Sequence, residues 1–204
     1  MKKNSQENFW SGKFGTDYIN RNTEKKLNLS NYYFFKKILE KINFSSIIEF
    51  GSNIGANITA IKKLNRKIKK VSAIEINQKA SELLKKNHKD VIVHHTNIAS
   101  FEPNGQFDLV LCKGILIHIN PNQLNKVYEK IYKSSKKYIL LAEYYSSKPV
   151  KIIYRNHEEK LFKRDFAGEL LQKYKKLKLV NYGFSYHKDK YPQDDITWFL
   201  LKKN

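Results

Sequence analysis

The feature that most restricts this chain is a rhythm: short, uninterrupted apolar runs alternate with stretches of helical period. Ile47-Ile48-Glu49-Phe50, Val71 to Ile76, Val91-Ile92-Val93, Phe107 to Cys112 and Tyr138 to Ala142 read as strands. Between them, Ile54, Ile58, Ile61 and Leu64, then Ala80, Leu83 and Leu84, then Leu124, Val127, Tyr128 and Ile131 fall at helical spacing. Phe35, Ile38, Leu39 and Ile42 mark a helix before the first strand, and Phe166, Leu170, Leu171 and Tyr174 one after the fifth. Strands apolar at every position are buried on both faces, so the alternation predicts a parallel sheet with helices on each side. Leu177 to Tyr182 and Ile196 to Leu201 bring the count to seven. With only a polar loop between them, they predict an antiparallel hairpin at one edge of the sheet. Asn77 is the expected N-cap of the third of these helices, and Asn120-Pro121 is a strong helix start. Residues 144–160 show no clear period.

Length and composition narrow the class further. The chain has 204 residues, enough for one domain with a sizeable core. The hydrophobic share is 41%, and apolar runs recur along the whole length, which excludes disorder. No run approaches the roughly 18 apolar residues of a membrane span. Residues 1–22 carry no apolar signal core. A single cysteine, Cys112, excludes a disulfide framework and a multi-cysteine metal site. A soluble cytoplasmic protein is expected. Net charge is +20, and 35 of the 39 cations are Lys; the arginines are Arg21, Arg66, Arg155 and Arg164. Lys, Ile and Asn together are what A/T-rich codons supply, and nucleic-acid binders favour the bidentate Arg fork. The charge is therefore read as a solvated surface, with the basic field of a nucleic-acid binder as the rival reading.

The segment richest in chemistry is Glu49-Phe50-Gly51-Ser52-Asn53-Ile54-Gly55, with Glu75 closing the next strand. Strand, glycine turn and helix make a nucleotide-binding corner, and Glu75 can accept from two ribose hydroxyls. A dinucleotide fingerprint requires a glycine where Asn53 stands, because a side chain there crowds a pyrophosphate. S-adenosylmethionine has no phosphate and tolerates it. Ligands of such sheets bind outside the carboxyl ends of the strands, which gathers Gly51 to Gly55, Glu75, Ile76, Asn97, Lys113 and Glu143 around one crevice.

At this level the chain resembles the class I S-adenosylmethionine-dependent methyltransferases. The resemblance implies a Rossmann-like, doubly wound α/β fold: a mostly parallel seven-stranded sheet with an antiparallel last strand. It also implies cofactor contacts from Glu49, Gly51 and Gly55, from Glu75 to the ribose, and from Asn97 and Ile98 to the adenine. Asn53 departs from a common Gly, and Asn97 from a common Asp. A narrower similarity runs through Phe9-Trp10-Ser11-Gly12-Lys13-Phe14-Gly15-Thr16-Asp17-Tyr18-Ile19 and Lys113-Gly114-Ile115-Leu116-Ile117-His118-Ile119-Asn120-Pro121. It continues through Ala142-Glu143-Tyr144-Tyr145, Leu161-Phe162-Lys163-Arg164-Asp165-Phe166-Ala167-Gly168-Glu169-Leu170 and Pro192-Gln193-Asp194-Asp195-Ile196-Thr197-Trp198. These strings are similar to methyltransferases associated with pseudaminic acid biosynthesis, which implies a modified sugar acid as methyl acceptor.

Methyl transfer from a sulfonium is an in-line displacement, so the protein mainly aligns the acceptor and removes its proton. His118, just past the fourth strand, suits a general base; its bland alternative is a histidine hydrogen-bonded within its loop. Glu143 and Tyr145 are the further catalytic candidates. Lys113 suits an acidic substrate or the cofactor. Tyr18 and Arg21 suit the cofactor's carboxylate, and Trp10 serves either as lid or as packing. Tyr144, Tyr154, Arg155 and His157 in one segment, and Tyr186, His187 and Asp194 in another, make a polar recognition surface for a small substrate. His94-His95 read as structural, and no metal spacing is present.

The expectation is one domain over 1–204, with 1–30 as an N-terminal lid, that methylates N or O of a small polar metabolite. No nucleic acid or membrane partner is expected, and the oligomeric state stays open. The rivals are an RNA or protein methyltransferase, favoured only by charge, and a non-enzymatic cofactor-binding protein.

Overall fold

Residues 4–19 and 25–204 are described by the computed structural model. Two short helices, α1 (Ser5–Ser11) and α2 (Lys13–Tyr18), precede α3 (Lys25–Leu39). The chain then alternates through β1 (Ser46–Phe50), α4 (Ala56–Leu64), β2 (Lys70–Glu75), α5 (Gln78–Asn87), β3 (Val91–His95), β4 (Phe107–Lys113), α6 (Leu124–Ser134) and β5 (Ser135–Glu143). A hairpin follows, β6 (Val150–Tyr154) and β7 (His157–Lys163), then α7 (Phe166–Lys173), β8 (Leu177–Ser185) and β9 (Ile196–Lys203). Asn77 caps α5 by accepting from the Ala80 amide at 3.1 Å. Asn120-Pro121 opens a short 3₁₀ turn that leads into α6.

Seven strands form one sheet in the order β3-β2-β1-β4-β5-β9-β8. The first five are parallel; β9 runs antiparallel to both β5 and β8. This is the expected doubly wound sheet, with its antiparallel last strand. The expected antiparallel β8–β9 hairpin closes one edge of the sheet, and the structure adds its order: β9 lies next to β5, with Leu140 opposite Leu200, and β8 takes the rim. The burial of the two strands follows from their places: Trp198, Leu200 and Leu201 are buried, whereas Val180 and Tyr182 on β8 are exposed.

Both faces are covered, as the unbroken apolar strands require. On one face, Phe35, Ile38 and Leu39 of α3, Ile58 and Ile61 of α4 and Leu84 of α5 pack on Ile47, Leu109, Leu111 and Leu140. On the other, Val127 and Ile131 of α6, Leu161 of β7 and Phe166 and Leu170 of α7 pack on Ile48, Val110, Ile139 and Leu141. The segment without clear period, 144–160, contains most of the β6–β7 hairpin. Its pattern is blurred because residues 150–160 are exposed or half-buried, with no fully buried face. The five parallel strands all end at one edge of the sheet, and there the loops that follow them meet.

Candidate active site

The turn after β1 is built on backbone geometry. Gly51 has φ +78°, Asn53 +48° and Gly55 +88°. A Cβ on Gly51 would lie 2.6 Å from Ile115, and one on Gly55 would lie 2.4 Å from Leu84. Gly51 lines the cavity; Gly55 does not, and its missing side chain makes room for α5. Asn53 folds its Oδ1 back onto the Ile54 amide at 2.7 Å.

Two carboxylates shape the crevice by the same device. Glu75, at the end of β2, accepts from the Asn53 and Asn77 amides, each at 2.7 Å. Each of its oxygens keeps a second lone pair. Glu143, at the end of β5, accepts from the amides of Ile115 at 3.1 Å, Leu116 at 2.9 Å and Ile117 at 3.4 Å. Burial pushes its carboxyl up to about 7, against those three bonds and the Lys113 charge. Glu143 therefore lines the cavity while holding the loop after β4, which is a positioning task. Glu49 is fully buried off the lining; Asn57 donates to its Oε1 at 2.7 Å, and its Oε2 has no partner among the described residues. Burial pushes this carboxyl up to about 8, opposed by Asn57 and the Lys113 charge. Lys113 lines the cavity, and burial lowers its ammonium pKa.

His118 is buried with its Nδ1 at 2.7 Å from the Lys160 carbonyl. A carbonyl only accepts, so the ring donates from Nδ1 and leaves Nε2 as its acceptor. Burial pushes the imidazole down to about 4. Its ring stands 4.5 Å from Trp10 and 5.0 Å from Tyr154. A base this weak is badly matched to taking a proton near neutral pH. His118 forms part of an aromatic wall of the cavity, and its burial works against the charged form that a general base must pass through.

Trp10, Tyr18, Tyr144, Tyr154, Arg155 and Asp194 all line the same cavity, with Ile76, Asn97 and Ile98 at the β2–β3 end. Asn97 accepts from the Ser100 amide through Oδ1 at 2.7 Å, which leaves one lone pair of that oxygen and its NH₂ to present. Four other expected residues lie off the lining. Tyr145 is 44% exposed and packs beside Phe199, so it does not join His118 and Glu143. His157 stands against Phe9 and Phe14, with ring centroids 4.8 and 5.5 Å away. Tyr186 is exposed on the last loop. His187 pairs with Asp195 at 2.8 Å on the surface. Arg21 lies outside the described residues.

Several lining residues escaped sequence reasoning: Asn4, Gln6 and Glu7 of the first helix and its cap, Asn31 of α3, and Asn120 with Gln123 before α6. Gln6 donates to the Glu159 carbonyl at 2.9 Å and accepts from Asn120 at 3.1 Å. Asn4 donates to Gln123 at 2.7 Å, and Asn77 donates to the Trp10 carbonyl at 3.2 Å. The one signal available was the apolar company of these amides near the start of the chain, which says nothing about their partners.

Residues 47–137 match the model of a methyltransferase domain. No curated protein matches the chain. Among solved structures, a magnesium protoporphyrin IX methyltransferase from Synechocystis with bound S-adenosylmethionine aligns with TM-score 0.69 and 10% identity, covering 100% of both chains. The N-methyltransferase NodS from Bradyrhizobium japonicum, with S-adenosylhomocysteine, aligns with TM-score 0.68 and 13% identity over 92% of this chain and 97% of that one. A methyltransferase from Clostridium acetobutylicum aligns with TM-score 0.65 and 13% identity over 92% and 96%. Residues 47–137 thus match a methyltransferase domain model, and the chain shares the fold of these S-adenosylmethionine-dependent methyltransferases.

Proposed function

We propose that this domain moves the methyl group of S-adenosylmethionine to N or O of a small polar metabolite, with a modified sugar acid as the candidate acceptor. The observation that carries the reading is Glu75: a carboxylate at the end of β2, fixed by two amides, lining the cavity beside the Gly51–Asn53 turn. The donor set fits the cofactor. Glu75 would hold the ribose, Ile76, Asn97 and Ile98 the adenine, and Gly51, Asn53, Tyr18, Trp10 and Lys113 the methionine end. Bound there, the cofactor supplies an already activated methyl group. The chain's part is to seat the acceptor, exclude water and leave an outlet for one proton.

Two features support a small acceptor. Helices α1 and α2 supply Trp10, Gly15 and Tyr18 to the cavity and are tied across it to the hairpin through Gln6 and Glu159, in the manner of a lid. Tyr144, Tyr154, Arg155 and Asp194 offer donors and an acceptor at metabolite scale. Magnesium protoporphyrin and a glycopeptide are the acceptors named for two structural neighbours, so the shared fold alone does not select one. Calorimetry with S-adenosylhomocysteine tests the cofactor, and release of S-adenosylhomocysteine from a panel of amines and sugar acids tests the transfer. Binding of NAD in place of S-adenosylhomocysteine would overturn the reading.

A further inference from the structure

Asp194 stands out among the lining residues. The loop that carries it is fastened on both sides. Gln193, buried, donates to Asn31 of α3 at 3.3 Å, and Asp195 accepts from the His187 amide at 2.9 Å. The carboxylate joins the rings of Tyr18, Tyr144 and Tyr154 on one wall of the cavity. Its charge is felt by Tyr18, Tyr144 and Lys113. Tyr18 and Tyr154 share a hydrogen bond. Burial, with these neighbours, raises the Tyr18 phenol and pushes that of Tyr144 up to about 12, so these hydroxyls are neutral.

Arg155 sits at the rim, 5.4 Å from the Tyr154 ring, on the two-residue turn between β6 and β7. That turn has φ +51° at Arg155 and +64° at Asn156. Asn accepts such a conformation readily and Arg less so; the guanidinium itself is held by its hydrogen bond to Tyr154. The charge balance of the wall is inverted relative to the chain. The whole protein has 39 cationic and 19 acidic side chains. The cavity is lined by four carboxyls, Glu7, Glu75, Glu143 and Asp194, against Lys113 and Arg155.

We propose that the acceptor atom is the amine nitrogen of a small zwitterionic metabolite, seated between Asp194 and the rings of Tyr18, Tyr144 and Tyr154, with its anionic group at Arg155. A carboxylate flanked by aromatic faces recognises an ammonium by charge and by the ring quadrupoles. The inference rests on the methyltransferase reading and refines its substrate class. Once the amine is neutral, its lone pair needs no base in the transfer step itself, so the chain has only to recognise and align it. The ammonium gives one proton to Asp194 or water. The nitrogen lone pair then forms the N–C bond as the S–C bond breaks, its electron pair staying on sulfur as a neutral thioether. The positive charge leaves on the methylated nitrogen. A hydroxyl acceptor would need its proton removed as the bond forms.

The test uses the full chain and a matched pair of probes, glucosaminate and gluconate, which differ by an amine for a hydroxyl. S-adenosylhomocysteine release and NMR of the new methyl group read the reaction. Titration of each probe into the S-adenosylhomocysteine complex, followed by calorimetry, reads binding. The expected result is an N-methyl product and at least about tenfold preference for glucosaminate, lost in Asp194→Asn with S-adenosylhomocysteine affinity unchanged. Arg155→Gln should weaken glucosaminate while leaving the amine-over-hydroxyl preference intact. An O-methyl product, or no preference for the amine in protein that binds S-adenosylhomocysteine, overturns the proposal. Failure to bind S-adenosylhomocysteine at all would sink the methyltransferase reading instead.

Discussion

The two halves of the crevice share a strand-end carboxylate that grips loop amides, but differ in how far along the chain their remaining walls are drawn from. The half at the ends of β1 and β2 is held mainly by bonds close in sequence: Glu75 grips Asn53, 22 residues away, and Asn77, two away, and its longer tie runs from Asn77 to Trp10, 67 residues back. The half at the ends of β4 and β5 draws its walls from the whole chain. Gln6 meets Glu159 across 153 residues, and Asn31 meets Gln193 across 162. A ligand common to many relatives can be served by a local, self-contained turn. A particular acceptor needs a pocket assembled from distant loops, because those loops can change without disturbing the turn.

The comparison is broken most directly at Glu75. Glu75→Gln should weaken S-adenosylhomocysteine binding by roughly 10- to 100-fold, the range for hydrogen bonds to a charged group, whereas Tyr154→Phe should leave it unchanged in calorimetry. Equal losses in both would mean that the halves are not separable. Next in size is Gly55→Ala. Its Cβ would press on Leu84 at a backbone angle unfavourable for Ala, so about 2 kcal/mol and roughly 4–8 °C of melting temperature should be lost. A variant as stable as the parent would show that the local half is softer than described. On the other side, His118→Ala should lower kcat by less than about tenfold once protein is matched for folding. A fall of roughly 10²- to 10⁴-fold would restore it as a general base.

The smallest effect sharpens the electrostatics beneath both halves. Glu49 has its folded-state carboxyl raised to about 8 from 4.5. The folded state therefore holds a proton that the unfolded chain has released, and stability declines as pH rises across that window. In cofactor-free protein, Glu49→Gln should flatten the fall in melting temperature between about pH 6 and 8 by a few degrees. An unchanged slope would mean that Glu49 is ionised and paired at neutral pH.

Legibility in the sequence follows the same division. β1, the glycine turn, Glu75 and the Asn77 cap were readable because each is specified by neighbours within a few residues or by one strand-to-strand step. The seven strands were visible because their apolar runs are continuous. The place of β9 was not, since nothing in Ile196 to Leu201 says which strand it will pair with first. The hairpin at 150–163 stayed hidden because its exposed residues carry no strong alternation, and its Arg155-Asn156 turn lacks the glycine that marks such turns. Tyr145, His157, Tyr186 and His187 looked like site residues by type and by loop. Which side of its loop a side chain faces is settled by packing: against Phe199 or Phe9, far along the chain, for Tyr145 and His157, and by a pairing across the loop with Asp195 for His187. Asn4, Gln6 and Asn31 were missed for the same reason.

The position of β9 also sets an order of events during folding. β5 ends at Glu143, and its outer neighbour does not begin until Ile196. β8 precedes β9 in the chain yet pairs only with it. Until β9 arrives, β5 keeps an open edge beside buried Leu140 and Leu141, and β8 has no strand to join. Closing a loop of that length is entropically slow, and an open apolar edge is a template for other chains. The last two strands should therefore lock together in a single late step, and the nascent protein is most prone to aggregate just before it.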